Sequence, residues 1–255
     1  IKLNKVILLS FNIIQNRPET SSGQLLSEKE RLGITVSNVN SILRILELHE
    51  TKCTFFLEVP LLTNAEFNLK KIVDKGHEIA VYGEGYTLEQ IRDAKTHAEK
   101  ITEKTIRGFR QMRRRFSIEE LKMLEFNYIS DIENATILFP LRRLERGTEL
   151  TEIKGITIIP ESISPYSQIP YNDFVFQSLP MKFYRSMVTE TLKNEEFVII
   201  YLNTWQFTDF AAAGLKTPFY RRWNSGKKME DKLTEFLEWI NERDYATARI
   251  KDYIF

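Results

Sequence analysis

The sequence contains very little cysteine and histidine, and this scarcity limits its chemistry. Only one cysteine and three histidines occur among 255 residues. A single thiol excludes a disulfide framework, and Cys53 lies in the apolar run "KCTFFLEV", which predicts a small core residue of a buried strand rather than a nucleophile. His49, His77 and His97 are therefore the only imidazoles available to a metal site or to acid–base catalysis.

An excess of charge and long apolar runs are also missing. The formal net charge of +1 predicts no strong attraction to a phosphate backbone, so nucleic acid is not an expected partner. No stretch reaches about 18 uninterrupted apolar residues, so no membrane span is expected, and no basic, apolar leader opens the sequence. The predicted location is cytoplasmic by default, and a leader or an anchor outside this sequence is the alternative.

What is present is the pattern of an α/β protein. The hydrophobic fraction of 42% and the charged fraction of 28% are those of an ordinary globular protein. Apolar strand-like runs alternate with amphipathic segments of helical spacing. The predicted strands span 5–13, 52–59, 77–83, 106–110 and 127–131, and the predicted helices span 34–50, 66–76, 87–104 and 117–126. This alternation predicts a mainly parallel sheet, either doubly wound or closed as a barrel.

The second half of the chain is less regular. From about 133 to 180 the pattern loosens into short strands and prolines, and this segment is predicted to lie over one rim of the sheet. Segment 186–207 returns to helix followed by strand, and 227–243 is an amphipathic helix of the C-terminal tail. Because no linker and no internal repeat interrupts the pattern, a single domain over 1–255 is predicted.

Either architecture gathers functional side chains at the carboxyl ends of its parallel strands. The residues predicted at these ends are Asn12, Glu58, Tyr82 to Tyr86, Arg110 to Arg115, Asp131 and Asn203 to Gln206. Aromatic rings suit the apolar faces of sugars, which makes Trp205, Tyr82 and Tyr86 candidates for ligand binding. Arg110 and Arg113, in the arginine-rich stretch "RQMRRRF", are candidates for binding an anionic substituent such as a uronate; the role of the cluster 113–115 stays open.

Five motifs follow one another at these strand ends, and their order is more specific than any one of them. They are "ILRILELHETKCTFFLEV", "NLKKIVDKGHEIAVYG", "IRGFRQ", "FNYISD" and "IIYLNTWQFTDF". Taken together they resemble the NodB-type polysaccharide deacetylases, carbohydrate esterase family 4, over nearly the whole chain, and in particular a bacterial branch with a long C-terminal tail. The resemblance implies a distorted (β/α) barrel with mainly parallel strands.

The resemblance also implies a hydrolase that uses one aspartate and two histidines to hold a divalent metal such as zinc, with a second aspartate as base and a late histidine as acid. Asn12 stands in the position of the base, and an amide cannot accept a proton at neutral pH. Tyr82 and Tyr86 stand in the histidine positions, and Asn203 replaces the late histidine. The metal carboxylate expected shortly after Asn12 is missing, because positions 13–15 are Ile, Ile and Gln.

Arg110 and Asp131 are the site residues that remain from the family pattern. In the family the arginine braces the base carboxylate, so with Asn12 in that place we expect Arg110 to pair with Asp131 or Glu84. A metal site built from Glu58, Glu84 and Asp131 would be a different site from that of the family. The sequence therefore predicts no metal and no cofactor.

These substitutions predict a catalytically degenerate polysaccharide deacetylase homologue that binds glycan or acts as an accessory protein in surface-polysaccharide metabolism. One alternative is an active N- or O-deacetylase with a rearranged site. Another is a scaffold or regulatory partner of an active paralogue, or a homo-oligomer. The expected ligand is a polysaccharide or oligosaccharide, and the basic residues of the tail "PFYRRWNSGKKMEDKL" are interpreted as structural or surface residues.

Overall fold

The first strand, β1 (Val6–Ile13), lies between two hydrophobic cores and contributes side chains to both. Successive side chains of a strand point to opposite faces, and "VILLSFNI" uses the two faces differently. Its odd positions, Ile7, Leu9, Phe11 and Ile13, belong to a core between sheet and helices. Leu8 faces a second core, and Ser10 and Asn12 lie on the same face as Leu8. This computed structural model describes residues 5–15, 19–20, 23–112, 116–131 and 149–255.

The strands form one large, mainly parallel sheet. After β1 come β2 (Glu19–Thr20), β3 (Thr54–Glu58), β4 (Glu78–Tyr82), β5 (Gly108–Gln111), β6 (Tyr128–Asp131), β7 (Thr151–Ile153), β8 (Ile156–Ile159), β9 (Phe197–Asn203), β10 (Leu215–Lys216) and β11 (Ala246–Thr247). The sheet runs β9-β1-β3-β4-β5-β6-β8-β7, and β11 pairs with the start of β1. All of its pairs are parallel except β7 with β8, while β2 and β10 form a separate antiparallel pair.

The predicted distorted (β/α) barrel is confirmed. The sheet curls around an inner core made of Leu8, Phe56, Ala80, Tyr82, Tyr128, Ile159, Phe197, Ile199 and Ile250. No ladder of described strands joins β8 to β9, so the barrel is open along this seam. Individual hydrogen bonds cross it instead: for example, the Ile199 amide donates to Ser162 Oγ at 2.9 Å, and the Tyr201 amide donates to the Tyr171 carbonyl at 3.3 Å.

Helices cover the outside of the sheet. They are α1 (Glu28–Leu48), α2 (Val59–Thr63), α3 (Leu69–Asp74), α4 (Leu88–Thr102), α5 (Ile118–Met123), α6 (Asp173–Ser178), α7 (Met181–Asn194), α8 (Phe219–Arg222), α9 (Lys227–Glu242) and α10 (Ile250–Ile254), with a 3₁₀ helix at Thr204–Phe207. None of the helices that the structure describes has the length and apolarity needed to span a membrane. The helix predicted at 227–243 is confirmed as α9.

Two predicted segments differ from the structure. Helix α1 begins at Glu28, ahead of the predicted residue 34, because Ser27 and Glu30 form a capping box that starts the helix one and a half turns earlier. Within the predicted rim segment 133–180, residues 133–148 lie outside the described residues. The part that follows contributes β8 to the main sheet, parallel to β6, instead of lying wholly over a rim.

His77, which directly precedes β4, makes the stability of the fold depend on pH. Its side chain is buried, and its Nδ1 accepts a hydrogen bond from the Cys53 amide at 3.3 Å. Burial first, then the nearby Lys52, Lys75 and Arg249, lower the pKa of His77 from 6.5 to about 4. Between these values the unfolded chain binds more protons than the native state. Acidification through this window should therefore lower the unfolding free energy, by about 3 kcal/mol from this group.

Urea unfolding of the wild type and of His77→Gln at intervals from pH 7.5 to 4 measures this dependence. The variant should be less stable at pH 7 but should lose less stability on acidification. Because the buried Glu78 carboxyl nearby has a raised pKa in both proteins, only the difference between the two curves reports on His77. Parallel curves would contradict the assignment.

Candidate functional site

Strand register brings the predicted site residues onto the inner face of the barrel. Side chains of register partners in parallel strands share a face. Asn12 is the partner of Asn203 in β9 and of Phe56 in β3. Arg110 is the partner of Tyr82 on one side and of Ser130 on the other. The candidate site is therefore built above the inner core, at the carboxyl ends of six neighbouring strands.

Asn12 connects the two sides of this site. Its side chain is buried, with 3% of its surface exposed. Its Oδ1 accepts a hydrogen bond from Arg110 Nη1 at 2.8 Å, and its Nδ2 donates to Asn203 Oδ1 at 3.1 Å. Both ends of the amide are thus hydrogen-bonded to protein groups, and an amide is no base at neutral pH.

The Arg110 side chain is fully buried, and its hydrogen-bond partners are neutral oxygens. Besides Asn12, its guanidinium donates to Ser10 Oγ at 3.0 Å and to Ser130 Oγ at 3.0 and 3.1 Å. Its Cζ lies 3.7 Å from the centre of the Phe56 ring, so the cation stacks on an aromatic face. Burial lowers the pKa of Arg110 to about 10, which leaves it charged at neutral pH.

The expected pairing of Arg110 with Asp131 or Glu84 is wrong. Among the described residues Arg110 forms an ion pair with neither. Register explains this: Ser130 is opposite Arg110 and shares its face, whereas Asp131 is opposite Gln111 and points to the other face. Glu84 instead accepts a hydrogen bond from the Met112 amide at 3.3 Å.

The hydrogen-bond network of Arg110, Asn12 and Asn203 continues from Asn203 to Asp173, at the start of α6. Asn203 Nδ2 donates to Asp173 Oδ2 at 2.5 Å, and the Asn203 backbone amide donates to Gln206 Oε1 at 2.9 Å. Gln206 Nε2 donates in turn to the Asp173 carbonyl and to Gln177 Oε1. Burial raises the pKa of Asp173, and the hydrogen bond from Asn203 partly offsets this rise.

Tyr82 and Tyr86 flank Glu58 on the other side of the site. The Tyr86 hydroxyl donates to Glu58 Oε1 at 2.7 Å, and the Gln15 amide donates to Glu58 Oε2 at 2.8 Å. Tyr82 is buried in the inner core, and burial, followed by the Glu84 charge, raises its pKa to about 12. Its phenol therefore stays neutral, and ionising it to bind a metal would be harder than for an ordinary tyrosine.

The side chains at this site do not fit the divalent metal that the resemblance implies. Zinc sites use histidine, cysteine or carboxylate ligands that converge on one point. No group of three such residues suited to a metal occurs in the part of the chain that the structure describes. Glu58, Glu84 and Asp131 are thus not gathered into a common site.

The remaining candidates for ligand binding that the structure describes lie outside the hydrogen-bond network of Arg110. Trp205 does not join the Arg110 network: its half-buried ring packs against Phe210, 6.4 Å between centres, with Arg221 Cζ 5.1 Å from it. It lines a cavity of about 20 Å³ against α1, room for about one water molecule. Tyr201 is buried beside Arg110. Arg113, with the rest of the arginine cluster 113–115, lies outside the described residues.

Several residues of the network were missed by the sequence analysis. Ser10 precedes Asn12 by two positions, so strand periodicity could have placed it on the same face. Ser130 could be found only from the register of β5 and β6. Asp173, Gln177 and the segment around them follow no clear periodicity, and the sequence contains no signal for their position.

Comparison with known proteins supports the fold. No protein-family model matches the sequence, and no curated protein matches it. The chain is similar to a pseudoenzyme of carbohydrate esterase family 4 from Bacillus anthracis, with 14% identity and a TM-score of 0.51 over 98% of this chain. This chain spans 65% of the length of that protein.

Two further solved structures align over most of both chains. A protein assigned as a polysaccharide deacetylase from Mycobacterium smegmatis has 14% identity and a TM-score of 0.61, over 99% of this chain and 90% of its own. The allantoinase PuuE has 12% identity and a TM-score of 0.63, over 98% and 89%. Together these structures show that the chain has the fold of the NodB-type polysaccharide deacetylases.

Proposed function

We propose that this chain is a catalytically degenerate homologue of the polysaccharide deacetylases that binds glycan without hydrolysing it. The observation that carries the proposal is the Asn12 amide, which joins Arg110 to Asn203 by two hydrogen bonds of 2.8 and 3.1 Å. In the family that the sequence resembles, this place belongs to the base. Here both ends of the Asn12 amide are hydrogen-bonded within the protein, and an amide cannot take a proton from water at neutral pH.

The remaining site residues support the same proposal. The amide of Asn203 cannot act as an acid at neutral pH. Burial raises the pKa of Tyr82 to about 12, so its phenol is neutral at neutral pH, and both oxygens of Glu58 already accept hydrogen bonds. The likeness to a carbohydrate esterase family 4 pseudoenzyme agrees with a barrel of this fold that has lost its chemistry. A role in surface-polysaccharide metabolism is the setting that we propose for it.

Asp173 favours the alternative of an active deacetylase with a rearranged site. It is a titratable group of the network, its pKa is raised by burial, and it lies within hydrogen-bonding distance of Asn203. A carboxylate with a raised pKa is suited to general base catalysis. If acetate release from acetylated chitooligosaccharides is detected and disappears in Asp173→Asn, this alternative replaces the degenerate account.

Restoring the family residues at four positions should not restore activity. The variant combines Asn12→Asp, Tyr82→His, Tyr86→His and Asn203→His, and the assay measures acetate release from chitotetraose with zinc present. We expect no turnover above the wild type, because positions 13–15 still supply no carboxylate for the metal. An active family enzyme serves as positive control, and turnover by the quadruple variant would refute this explanation.

A further inference from the structure

A second cavity lies outside the barrel mouth, between the loop Asp209–Ala211 and the segment 219–228 that carries α8 and the start of α9. We call it the α8–α9 pocket. Its volume is about 490 Å³, which is within the range of small-molecule sites. Gly226 fixes the close approach of its two walls, since a Cβ there would lie 3.1 Å from the Asp209 Cα.

Two aromatic side chains of this pocket are unusually open to solvent. Phe219 is 70% exposed and Trp223 is 44% exposed. Such rings are normally buried in a core, and neighbouring exposed rings in a concave surface indicate a binding surface. Flat aromatic rings can stack on the apolar face of a pyranose ring, which gives this pocket a platform for a sugar.

The charges around the aromatic platform are mainly positive. Arg222, Lys227 and Lys228 line the pocket, against one carboxylate, Asp209. Lys227 already pairs with Asp231 at 2.8 Å, while no ion pair between described residues involves Arg222 or Lys228. Two cations are therefore free to meet an anionic ligand beside the exposed rings.

The pocket is also connected to the candidate site by hydrogen bonds. The Gln177 side chain donates to the Trp223 carbonyl at 2.5 Å and accepts from Gln206 at 2.8 Å. The Gly226 amide donates to the Gln206 carbonyl at 2.8 Å. Gln206 in turn binds the Asn203 amide, so the segment that forms the pocket is anchored to the same residues that terminate the Arg110 network.

From the exposed rings, the two unpaired cations and the volume, we infer that the α8–α9 pocket binds an acidic saccharide, a pyranose ring that carries a carboxylate or a similar anionic group. The ring stacks on Trp223 or Phe219, and Arg222 and Lys228 bind the anion. The inference rests on the proposed glycan-binding role and adds to it a second site and a class of sugar. It also assigns a function to Arg222 and Lys228. From the sequence alone, these basic tail residues were interpreted as structural or surface residues.

Calorimetric titration with α-1,4-tetragalacturonate tests the inference, with its fully methyl-esterified form as the uncharged counterpart. The acid should bind and the ester should bind at least tenfold more weakly. Lys228→Gln and Arg222→Gln should each weaken binding of the acid by roughly tenfold, as expected for a lost charge-assisted hydrogen bond. Trp223→Ala should weaken it at least as much, and Trp223→Phe, which keeps a ring, should retain most of it.

Lys182→Gln and Phe183→Ala are matched controls, because both residues are exposed on α7 and neither lines the pocket. Neither variant should change the affinity. Equal binding of acid and ester, or binding that the pocket variants leave unchanged, would overturn the inference. If chitotetraose binds and tetragalacturonate does not, the inference of an acidic-saccharide site fails while the proposed glycan-binding function stands. If neither sugar binds, both fail.

Discussion

Replacing Arg110 by alanine should lower the unfolding free energy by about 4 kcal/mol. The guanidinium is fully buried and donates to Ser10, Asn12 and Ser130. Alanine leaves these buried oxygens without their donor, and each hydrogen bond to a charged group contributes about 1.5–3 kcal/mol. Alanine also removes the cost of burying the charge, which offsets part of this sum. It also leaves a cavity above the Phe56 ring, where the guanidinium stacks at 3.7 Å.

Two further variants separate the causes of this loss. Arg110→Met fills most of the volume but donates no hydrogen bond, so it should recover only the part that is due to the cavity. Arg92→Ala removes an arginine whose side chain is 57% exposed on α4, and it should change stability by less than about 0.5 kcal/mol. Urea unfolding measures all three. An Arg110→Ala protein as stable as Arg92→Ala would mean that the guanidinium is not held as described.

Replacing Gly108 by alanine should have a comparable effect through sterics alone. A Cβ at this position would lie 2.1 Å from Cζ and the hydroxyl oxygen of Tyr128. That ring is fully buried, and its hydroxyl donates to Glu78 Oε1 at 2.9 Å. The ring can therefore move only by giving up this bond to a buried carboxylate. We expect a loss of about 3 kcal/mol or more in the unfolding free energy.

Gly33→Ala is the matched control for this substitution. Gly33 lies within α1, and no atom would come within 4 Å of its added Cβ. In a helix, alanine should raise the unfolding free energy by about 0.5–1 kcal/mol. Thermal or urea unfolding of the two variants compares the same chemical change in two places. Similar stability of both variants would contradict the packing of Tyr128 over Gly108.

Much of the fold could be predicted from the sequence because its signals are local. The run "VILLSFNI" specifies a buried strand by composition, and the alternation with amphipathic helices specifies a parallel sheet. The family resemblance that the strand-end motifs carry then implies the barrel rather than a doubly wound sheet. The start of α1 is also marked locally, because Ser27-x-x-Glu30 is the sequence pattern of a capping box.

The internal geometry of the site could be predicted only in part, because it depends on register. Sequence position indicates that Arg110 and Asp131 both end strands, but not which residues face each other. The pairing of Arg110 with Ser130 decides that a hydroxyl, not a carboxylate, lies beside the guanidinium. Asp173 enters from a segment without periodicity, so its contact with Asn203 could not be anticipated.

Zinc binding is the most direct test of whether the barrel mouth has lost its metal site. Protein purified without chelator, incubated with excess zinc and passed through a desalting column is analysed for metal content, with a zinc-dependent family member treated in parallel. We expect well below one zinc per chain, because the barrel mouth presents amides, neutral phenols and a hydrogen-bonded carboxylate instead of metal ligands. One tightly held zinc per chain would contradict the account and identify the barrel mouth as a working metal site.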